Sequence, residues 1–338
     1  MEASSGPRWR RWASTALKLV LTTAVTLFII RQVGLDLRAF SRLGWEWARW
    51  RPLPLTASVL ALAAGYALSA SLWGRMVREF GGPRLRARES IPLFLVANLG
   101  RYIPGKVFQI AGLTLLARER GVSPQVAAGS AILGQGVALL GATLVGISAF
   151  LSPALPGEVR LWGWVGLAAV WAFVMVTSVP GPARRLESLG FRIARWAGAA
   201  SAPGPGEEPI LRNRFGLRWT LWYAMNWGLY ATAFWLLYLG VVGWMPFLYV
   251  APAFAAAYVG GYLALFAPAG LGIREGLLVA FLSPVLQAEP ALALAVLARL
   301  WTTLVEVVPA ALLAPGVLRS RSGADSERTG EEAAHDGP

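Results

Sequence analysis

The segment Arg101-Tyr102-Ile103-Pro104-Gly105-Lys106 separates two uncharged runs of 11 residues each, Ser90–Gly100 and Val107–Ala117. An α-helix rises 1.5 Å per residue, so each run covers only about half of a 30 Å hydrocarbon core. Proline interrupts the helical hydrogen-bond pattern, and glycine permits a sharp turn directly after it. The segment therefore predicts a broken or re-entrant helical hairpin rather than a full membrane span.

A second interruption of this kind is Pro268-Ala269-Gly270-Leu271-Gly272-Ile273-Arg274-Glu275-Gly276, between Phe247–Ala267 and Leu277–Ala288. We predict a second hairpin here, although the 21 residues of Phe247–Ala267 are also long enough for a full crossing. Glycine has no Cβ, so glycines at the two breaks would let the backbone approach a ligand closely. The predicted break positions are Gly100, Pro104, Gly105, Pro268, Gly270, Gly272 and Gly276.

The 338-residue chain has the composition of a membrane protein. Hydrophobic residues make up 56% and charged residues 14%, against about 25% charged residues in soluble domains. The predicted fold class is all-α, a polytopic integral membrane protein with about six transmembrane helices plus the two hairpins. The predicted spans are Ala13–Ile30, Pro52–Gly74, Pro124–Phe150, Leu161–Val179, one that begins near Trp219, and Pro290–Leu318.

The order of spans and hairpins occurs twice along the chain. Pro104 and Pro268 are 164 residues apart, and Pro124 and Pro290 are 166 residues apart. Because each unit holds three spans, the second copy would be inverted, which is a common plan among transporters. The predicted segments are a basic N-terminus (1–11), a membrane domain (12–318) made of repeat 1 (about 12–150) and repeat 2 (about 160–318, with a cytoplasmic amphipathic loop at 181–216), and a disordered tail (319–338).

The residue types that the chain lacks narrow its function. There is no cysteine, and the one histidine, His335, lies in the polar tail. Cysteine nucleophiles, histidine-based triads and zinc sites are therefore excluded, and no metal or cofactor is predicted. No G-x-x-x-x-G-K-[ST] motif for a nucleotide is present. The net charge of +13 is typical of the positive-inside rule and of attraction to anionic lipids, so nucleic acid is not a predicted partner.

Charged residues inside the predicted membrane segments are the candidate site, because a charge in hydrocarbon is costly and indicates function. These residues are Arg101, Lys106, Arg274, Glu275, Arg299 and Glu306. Four cations against two acids favour an anionic ligand, and the arginine fork matches the geometry of a phosphate. Half-helix N-termini at the breaks add backbone N–H donors. Together with Asn98 and Tyr102, these side chains form the predicted substrate-binding site.

Several of these candidates also have a structural interpretation. Arg101 and Lys106 could extend to the inner membrane surface if the first hairpin is shallow. Asn98 and Tyr102 could satisfy backbone groups that the break sets free. Glu275 is expected to cap the half-helix that follows the second break, where its charge meets the positive end of the helix dipole.

Arg299 and Glu306 are seven residues apart, which places them on one face of the last span. They are predicted either to form a buried salt bridge with each other or to take part in substrate binding by exchanging partners. Four polar or aromatic residues within the other spans are expected to serve helix packing, namely Tyr66, Trp73, Asn226 and Trp227.

The two break motifs resemble those of a known family. Asn98-Leu-Gly-Arg-Tyr-Ile-Pro-Gly-Lys106 and Pro268–Gly276 are similar to the lysylphosphatidylglycerol synthase transmembrane region family, and the likeness covers about residues 12–318. The resemblance implies a multi-pass protein of the bacterial inner membrane that moves or presents a lipid with a modified headgroup. Related members belong to polyprenyl-phosphate sugar pathways. Members with synthase activity continue into a soluble aminoacyl-transfer domain, which is not expected here, so synthase activity is not expected either.

The predicted function is a flippase-like translocator for an anionic phospholipid or a polyprenyl-phosphate-linked lipid, with the phosphate held by the intramembrane cations. Membrane lipids and a lipid-modifying enzyme are the predicted partners, and the oligomeric state stays open. One alternative is a membrane glycosyltransferase, for which the outer loops offer the scattered acids Asp36, Glu46 and Glu158 as candidate bases. The other alternative is an accessory subunit of a lipid-modifying enzyme.

Arginine counts predict that both termini are cytoplasmic. With the N-terminus inside, eighteen arginines fall in inner segments, counted to Arg321 in the C-terminal tail, and six fall in outer segments, as the positive-inside rule requires. Because the chain has no cysteine, Ser201→Cys and Asp325→Cys can be treated one at a time in intact cells with a membrane-impermeant thiol reagent. We expect neither position to be labelled until the cells are permeabilised. Labelling at position 325 alone would show that Phe247–Ala267 crosses the membrane fully.

Overall fold

The structure is a computed structural model that describes residues 41–102, 107–179, 215–264 and 270–335 and the single residues 38, 181 and 185, with side chains as far as Val317. Every regular element in these residues is helical, and no β-strand occurs among them. The predicted all-α fold is therefore confirmed for this part of the chain. Outside the described residues lie the predicted span Ala13–Ile30, most of the loop 181–216, and Pro104, Gly105, Lys106 and Pro268.

The helices begin where the sequence supplies start signals. Pro52 and Pro124 open two long helices at positions where a missing amide hydrogen costs nothing. Ser123 caps the second of these helices by accepting a hydrogen bond from the Val126 amide at 3.3 Å. The helices are α1 (Pro52–Glu79), α2 (Ala87–Asn98), α3 (Val107–Arg118), α4 (Pro124–Gly146), α5 (Gly157–Thr177), α6 (Phe215–Val241), α7 (Phe247–Leu263), α8 (Ile273–Leu282) and α9 (Ala288–His335), and 3₁₀ turns at Leu99–Tyr102 and Ile147–Leu151 extend α2 and α4.

Four stretches of the described chain are helical, long and apolar enough to cross a membrane. They are Pro52–Glu79, Pro124–Leu151, Gly157–Val176 and Ala288–Val317, which agree with four of the predicted spans. The helix α6 has 27 residues, more than half of them buried. Its tryptophan, tyrosine and asparagine residues lower its hydropathy below that of the four spans. A helix can carry such residues where it is buried among other helices. The chain is thus a multi-pass membrane protein.

Both predicted hairpins contain helices that are shorter than a full span. The arms of the first hairpin, α2 and α3, have 12 residues each and pack against each other. In the second hairpin α7 has 17 residues and α8 has 10, and these two helices also pack together. Because α7 already ends at Leu263, the structure favours a hairpin arm over a full crossing for the predicted stretch Phe247–Ala267.

The centre of the bundle is the pair α1 and α6, which pack against each other. Helix α4 packs against α6 and α7, whereas α9 packs against α1 and α2. The last helix of each predicted repeat therefore contacts the first hairpin helix of the other repeat. These contacts between the repeats hold both hairpins beside the α1–α6 pair. The candidate site lies between the hairpins and this pair.

The C-terminal tail differs from the prediction. The sequence predicts disorder at 319–338, whereas α9 continues as a helix to His335. After Pro315 no proline occurs before Pro338, and the alanine, glutamate and arginine residues in between are good helix formers. The described backbone of residues 319–335 is thus helical, whereas the sequence predicts disorder there.

Close contact between α4 and α6 depends on one glycine. A Cβ atom at Gly141 would lie 2.7 Å from the Ala224 backbone nitrogen, whereas one at Gly136 on the same helix would meet nothing within 4 Å. We expect Gly141→Ala to destabilise the protein by about 1–3 kcal/mol, because the two backbones must move apart. The matched control Gly136→Ala should be neutral or slightly stabilising, since alanine favours a helix. Thermal unfolding in detergent measures both, and equal midpoints would contradict the close contact.

Candidate functional site

A cavity of about 130 Å³ lies among the helices α1, α4 and α6 and the two hairpins. Its charged lining residues are Arg101 from the first hairpin and Arg274 from the second, and no described acid lines it. Polar amide groups from Asn98, Gln109 and Asn226 complete much of the uncharged wall. The cavity therefore combines positive charge with neutral hydrogen-bonding groups inside a membrane protein.

The structure brings the predicted site residues together in two layers. The layer that lines the cavity contains Asn98, Arg101 and Arg274. The layer behind it contains the partners of these groups, Tyr102, Glu275, Arg299 and Glu306. Lys106 lies outside the described residues, so its predicted role stays a prediction.

Glu306 on α9 is the acceptor that holds the first hairpin. Its side chain is almost fully buried, with 2% of the residue exposed. It accepts hydrogen bonds from the Asn98 amide nitrogen, from Arg101 Nη1 at 3.1 Å and from the Tyr102 hydroxyl at 3.0 Å. All three donors lie at the C-terminal end of α2 or in the 3₁₀ turn after it. Because a buried carboxylate needs donors, this end of the hairpin is fixed to α9.

The two arms of the first hairpin are joined by a further polar contact. Gln109 on α3 donates a hydrogen bond to the side-chain oxygen of Asn98 at 2.7 Å. Asn98 thus donates to Glu306 and accepts from Gln109 at the same time. Asn98 and Tyr102 therefore bond to side chains rather than to backbone groups freed by the break. Arg101 is half-buried and forms a salt bridge with Glu306, so the structure gives it a partner inside the bundle.

Arg299 and Glu306 do not form the predicted salt bridge with each other. Arg299, with 7% of the residue exposed, donates to Glu275 Oε1 on the second hairpin at 2.5 Å, while Glu306 pairs with Arg101 on the first. Seven residues along a helix place two side chains on one face. Each of these two side chains nevertheless pairs with a charged residue of a hairpin and not with the other side chain. One helix face therefore holds both hairpins through two separate ion pairs.

Glu275 has the capping role that the sequence predicts. Its second carboxylate oxygen accepts a hydrogen bond from the Gly272 amide at 2.7 Å, at the start of α8. Its negative charge also lies at the positive end of the α8 dipole. The same carboxylate therefore starts the helix and anchors it to Arg299 on α9.

Arg274 is the cavity cation without a salt bridge to any described acid. Its guanidinium lies 4.8 Å from the centre of the Phe254 ring on α7, a distance at which the ring face attracts a cation. Arg101, by contrast, is neutralised by Glu306 and lies 5.9 Å from the Tyr258 ring. The unneutralised charge on the cavity wall among the described residues thus comes chiefly from Arg274.

The backbone itself requires glycine at several of the described break positions, of which Gly270 also lines the cavity. A Cβ at Gly100 would lie 2.7 Å from the Gln109 backbone nitrogen. Any other residue at position 100 would therefore keep the turn from approaching α3 this closely. Gly270 and Gly272 have φ angles of 73° and 78°, which favour glycine. A Cβ at Gly276 would meet nothing within 4 Å, so no contact explains that position.

One face of α1 and one face of α6 form part of the cavity wall, although the sequence predicts helix packing for several of their residues. On α1, Tyr66, Ser69 and Trp73 line the cavity, and on α6 the facing residues follow the same i, i+3, i+7 spacing. Those facing residues are Tyr223, Asn226 and Tyr230. This repeated spacing of polar and aromatic groups in two otherwise apolar helices is the signal that could have identified the wall, because it marks one face of each helix.

Polar contacts on this wall leave two groups unsatisfied. The Asn226 amide nitrogen donates to the Ser69 hydroxyl at 2.6 Å, and that hydroxyl lies 2.9 Å from the Tyr230 hydroxyl. Asn226 Oδ1 and Trp73 Nε1 are buried and have no hydrogen-bond partner. Both residues line the cavity, but these two atoms are enclosed by the protein.

Comparison with known proteins agrees with this membrane architecture. A family model described as "Lysylphosphatidylglycerol synthase TM region" matches residues 15–310. No curated protein matches the chain. The match covers both hairpins, α9 as far as Ala310 and every residue assigned here to the cavity and its ion pairs.

The ion pair between Arg299 and Glu275 can be tested by a double-mutant cycle. Arg299→Leu leaves the half-buried Glu275 carboxylate without its cation, which should cost about 1–3 kcal/mol. Adding Glu275→Gln should restore part of the stability, since the glutamine oxygen still accepts from the Gly272 amide. The matched control, Arg299→Leu with Glu306→Leu, removes halves of two different pairs and should lose stability additively. Thermal unfolding in detergent distinguishes the two double variants. Rescue of stability by Glu306→Leu would indicate that Arg299 pairs with Glu306 after all.

Proposed function

The chain belongs to the Lysylphosphatidylglycerol synthase TM region family, and we propose that it is a lipid translocator. Its family makes it a membrane protein of lipid metabolism or transport. We propose as its substrate an anionic phospholipid or a polyprenyl-phosphate-linked lipid, moved across the bacterial inner membrane by a protein whose termini are both cytoplasmic. In this role it binds and moves a lipid without catalysing a reaction.

The observation that carries this proposal is the cavity wall with Arg101 and Arg274 and no described acid. A guanidinium offers a planar fork of donors that fits a phosphate, and the fork is worth more where water is scarce. A buried cation without a counter-ion is costly. An anionic headgroup would supply the missing charge to Arg274, which supports binding of the phosphate at this position.

The contacts of the hairpins support a mechanism in which the phosphate replaces a protein partner. Arg101 is held by Glu306, so a phosphate that approaches Arg101 competes with that carboxylate. Lys106 belongs to the same hairpin by sequence and adds a third cation in this proposal. The reciprocal packing of α4 on α7 and of α9 on α2 supports two related units that move against each other, as in transporters with inverted repeats.

Loss of Arg274, which forms no salt bridge with a described acid, should slow transport while the protein still folds. The full chain is reconstituted into phosphatidylcholine vesicles with an acyl-labelled anionic phospholipid, and translocation is followed by quenching of label in the outer leaflet. We expect Arg274→Ala to slow transport by about 10- to 100-fold, since a charge-assisted hydrogen bond contributes about 1.5–3 kcal/mol. Arg274→Lys should recover only part of the rate, because an ammonium lacks the planar fork.

A matched control is Arg75→Ala, because Arg75 is an exposed arginine that lies 5.5 Å from the Trp222 ring and does not line the cavity. Its transport rate should equal that of the wild type. Transport at the normal rate in both Arg101→Ala and Arg274→Ala would disprove the phosphate-binding role. Wild-type vesicles that translocate no anionic lipid would disprove the proposed function itself.

A further inference from the structure

We propose that Glu306 is a proton-binding site and that the protein takes up a proton when an anionic headgroup binds in the cavity. This inference rests on the proposed function and adds a coupling ion to the lipid substrate. It follows from the position of Arg101, which belongs to the ion pair on α9 and to the cavity wall at the same time.

Arg101 connects the cavity with a buried acid. Its guanidinium lies 3.1 Å from Glu306 Oε1, and 19% of the arginine side chain is exposed against 3% of the glutamate side chain. Arg101 lines the cavity, whereas no described acid does. A phosphate in the cavity can therefore reach the arginine but not the carboxylate, and it competes with Glu306 for the same donors.

The other cations near the two ion pairs are engaged elsewhere. Arg299 donates to Glu275 Oε1 at 2.5 Å, and Arg274 lies in the cavity wall, where the proposed function assigns it to the phosphate. The donors that stay with Glu306 are an amide and a hydroxyl, and both are neutral. With Arg101 drawn to the phosphate, a carboxylate on a residue that is only 2% exposed would remain without a cation. Such a charge is costly, and binding a proton removes it.

The surroundings of Glu306 can accommodate the proton. Glu306 Oε2 lies 3.0 Å from the Tyr102 hydroxyl, and a hydroxyl accepts a hydrogen bond as well as donating one. Protonated Glu306 therefore donates from Oε2 to Tyr102 and still accepts from the Asn98 amide at Oε1. In this step Glu306 gains an O–H bond with a proton from solvent, only its contact with Arg101 is lost, and no bond of the lipid changes.

Glu306 is the titratable group whose partner a headgroup removes. The described charged and titratable side chains that surround it, from the elements packed against α9 and from α9 itself, are Tyr66, Tyr230, Arg101, Tyr102, Arg274, Glu275 and Arg299. Tyrosine and arginine titrate at about pH 10 and above about pH 12, so their charge does not change near neutral pH. Glu275 is held by Arg299 and the Gly272 amide, neither of which lines the cavity. A headgroup therefore leaves Glu275 paired and changes the proton occupancy of Glu306.

Uptake of a proton with the headgroup also balances charge. The phosphodiester brings a negative charge into the bundle and the proton brings a positive one, so the loaded protein carries the same net charge as the empty protein. Only movement of net charge across the membrane responds to the membrane potential. Transport should therefore be driven by a pH gradient and should not respond to a membrane potential.

Calorimetry counts the proton. The full chain in detergent is titrated with dihexanoyl phosphatidylglycerol, a phosphodiester without the second ionisation that a phosphate monoester has at about pH 6. The titration is carried out at one pH in two buffers of different ionisation enthalpy, and the difference in heat gives the number of protons taken up per lipid bound. We expect uptake to approach one proton near neutral pH. Because the bound state holds the additional proton, the dissociation constant should rise by up to about tenfold per pH unit.

Three variants assign the proton to its residue. Glu306→Gln is neutral with and without lipid, so its lipid binding should take up no proton and should not depend on pH. Arg101→Gln serves if that variant does not fold, because Glu306 then lacks its cation and is already protonated before the lipid binds, so that uptake is again lost. The matched control is Glu79→Gln, since Glu79 is also held by an arginine, Arg218, and by the Trp219 N–H at 3.0 Å, but does not line the cavity or contact α9. This control should take up as many protons as the wild type.

The outcomes separate this inference from the proposed function. Lipid binding by the wild type without proton uptake would overturn the inference while lipid translocation still stands. Uptake that persists in Glu306→Gln would overturn the assignment to Glu306. In phosphatidylcholine vesicles, acceleration of transport by a membrane potential but not by a pH gradient would overturn the coupling. Binding of soluble glycerophosphoglycerol as tight as that of the lipid would assign the site to a free phosphodiester. Failure to bind or move any anionic lipid would overturn the proposed function itself.

Discussion

The structure depends on one face of α9 that neutralises a charge from each hairpin. Arg299 binds Glu275 on the second hairpin, and Glu306 two turns away binds Arg101 on the first. Arg299 and Glu306 are buried, whereas their hairpin partners Glu275 and Arg101 are half-buried. Breaking either pair by removing one partner is therefore destabilising. Neither hairpin can therefore leave α9 unless another charged group replaces the partner that it loses. In the proposed function an anionic headgroup at Arg101 would be such a replacement, and substrate binding would then be linked to the position of the hairpin.

The same two pairs determine the charge of the cavity. Because Glu306 and Glu275 each offset one arginine, the described acids of the membrane interior are used behind the wall and none lines the cavity. Arg274 then remains as a cavity cation whose described neighbour is the Phe254 ring. A structural requirement, the anchoring of two short hairpins, thus produces the positive wall on which the proposed function rests.

The hairpins could be predicted from the sequence because their signal is local. Runs of half-span length around Pro-Gly and Pro-Ala-Gly breaks are visible without any knowledge of neighbouring helices. The partner of Arg299 could not be predicted in this way. A spacing of seven residues fixes the face that Arg299 and Glu306 share, but which cation or acid lies opposite depends on how α2 and α8 pack against α9.

The uncharged part of the cavity wall, which α1 and α6 form, could not be predicted from the sequence either. Tyr66, Ser69 and Trp73 look like packing residues as long as α1 is considered alone, and they become a binding surface because α6 presents Asn226 and Tyr230 opposite them. The break motifs supply the arginines, which any phosphate-bearing headgroup can use. The break motifs can therefore be recognised from the sequence, whereas the α1–α6 part of the cavity wall depends on how the two helices pack.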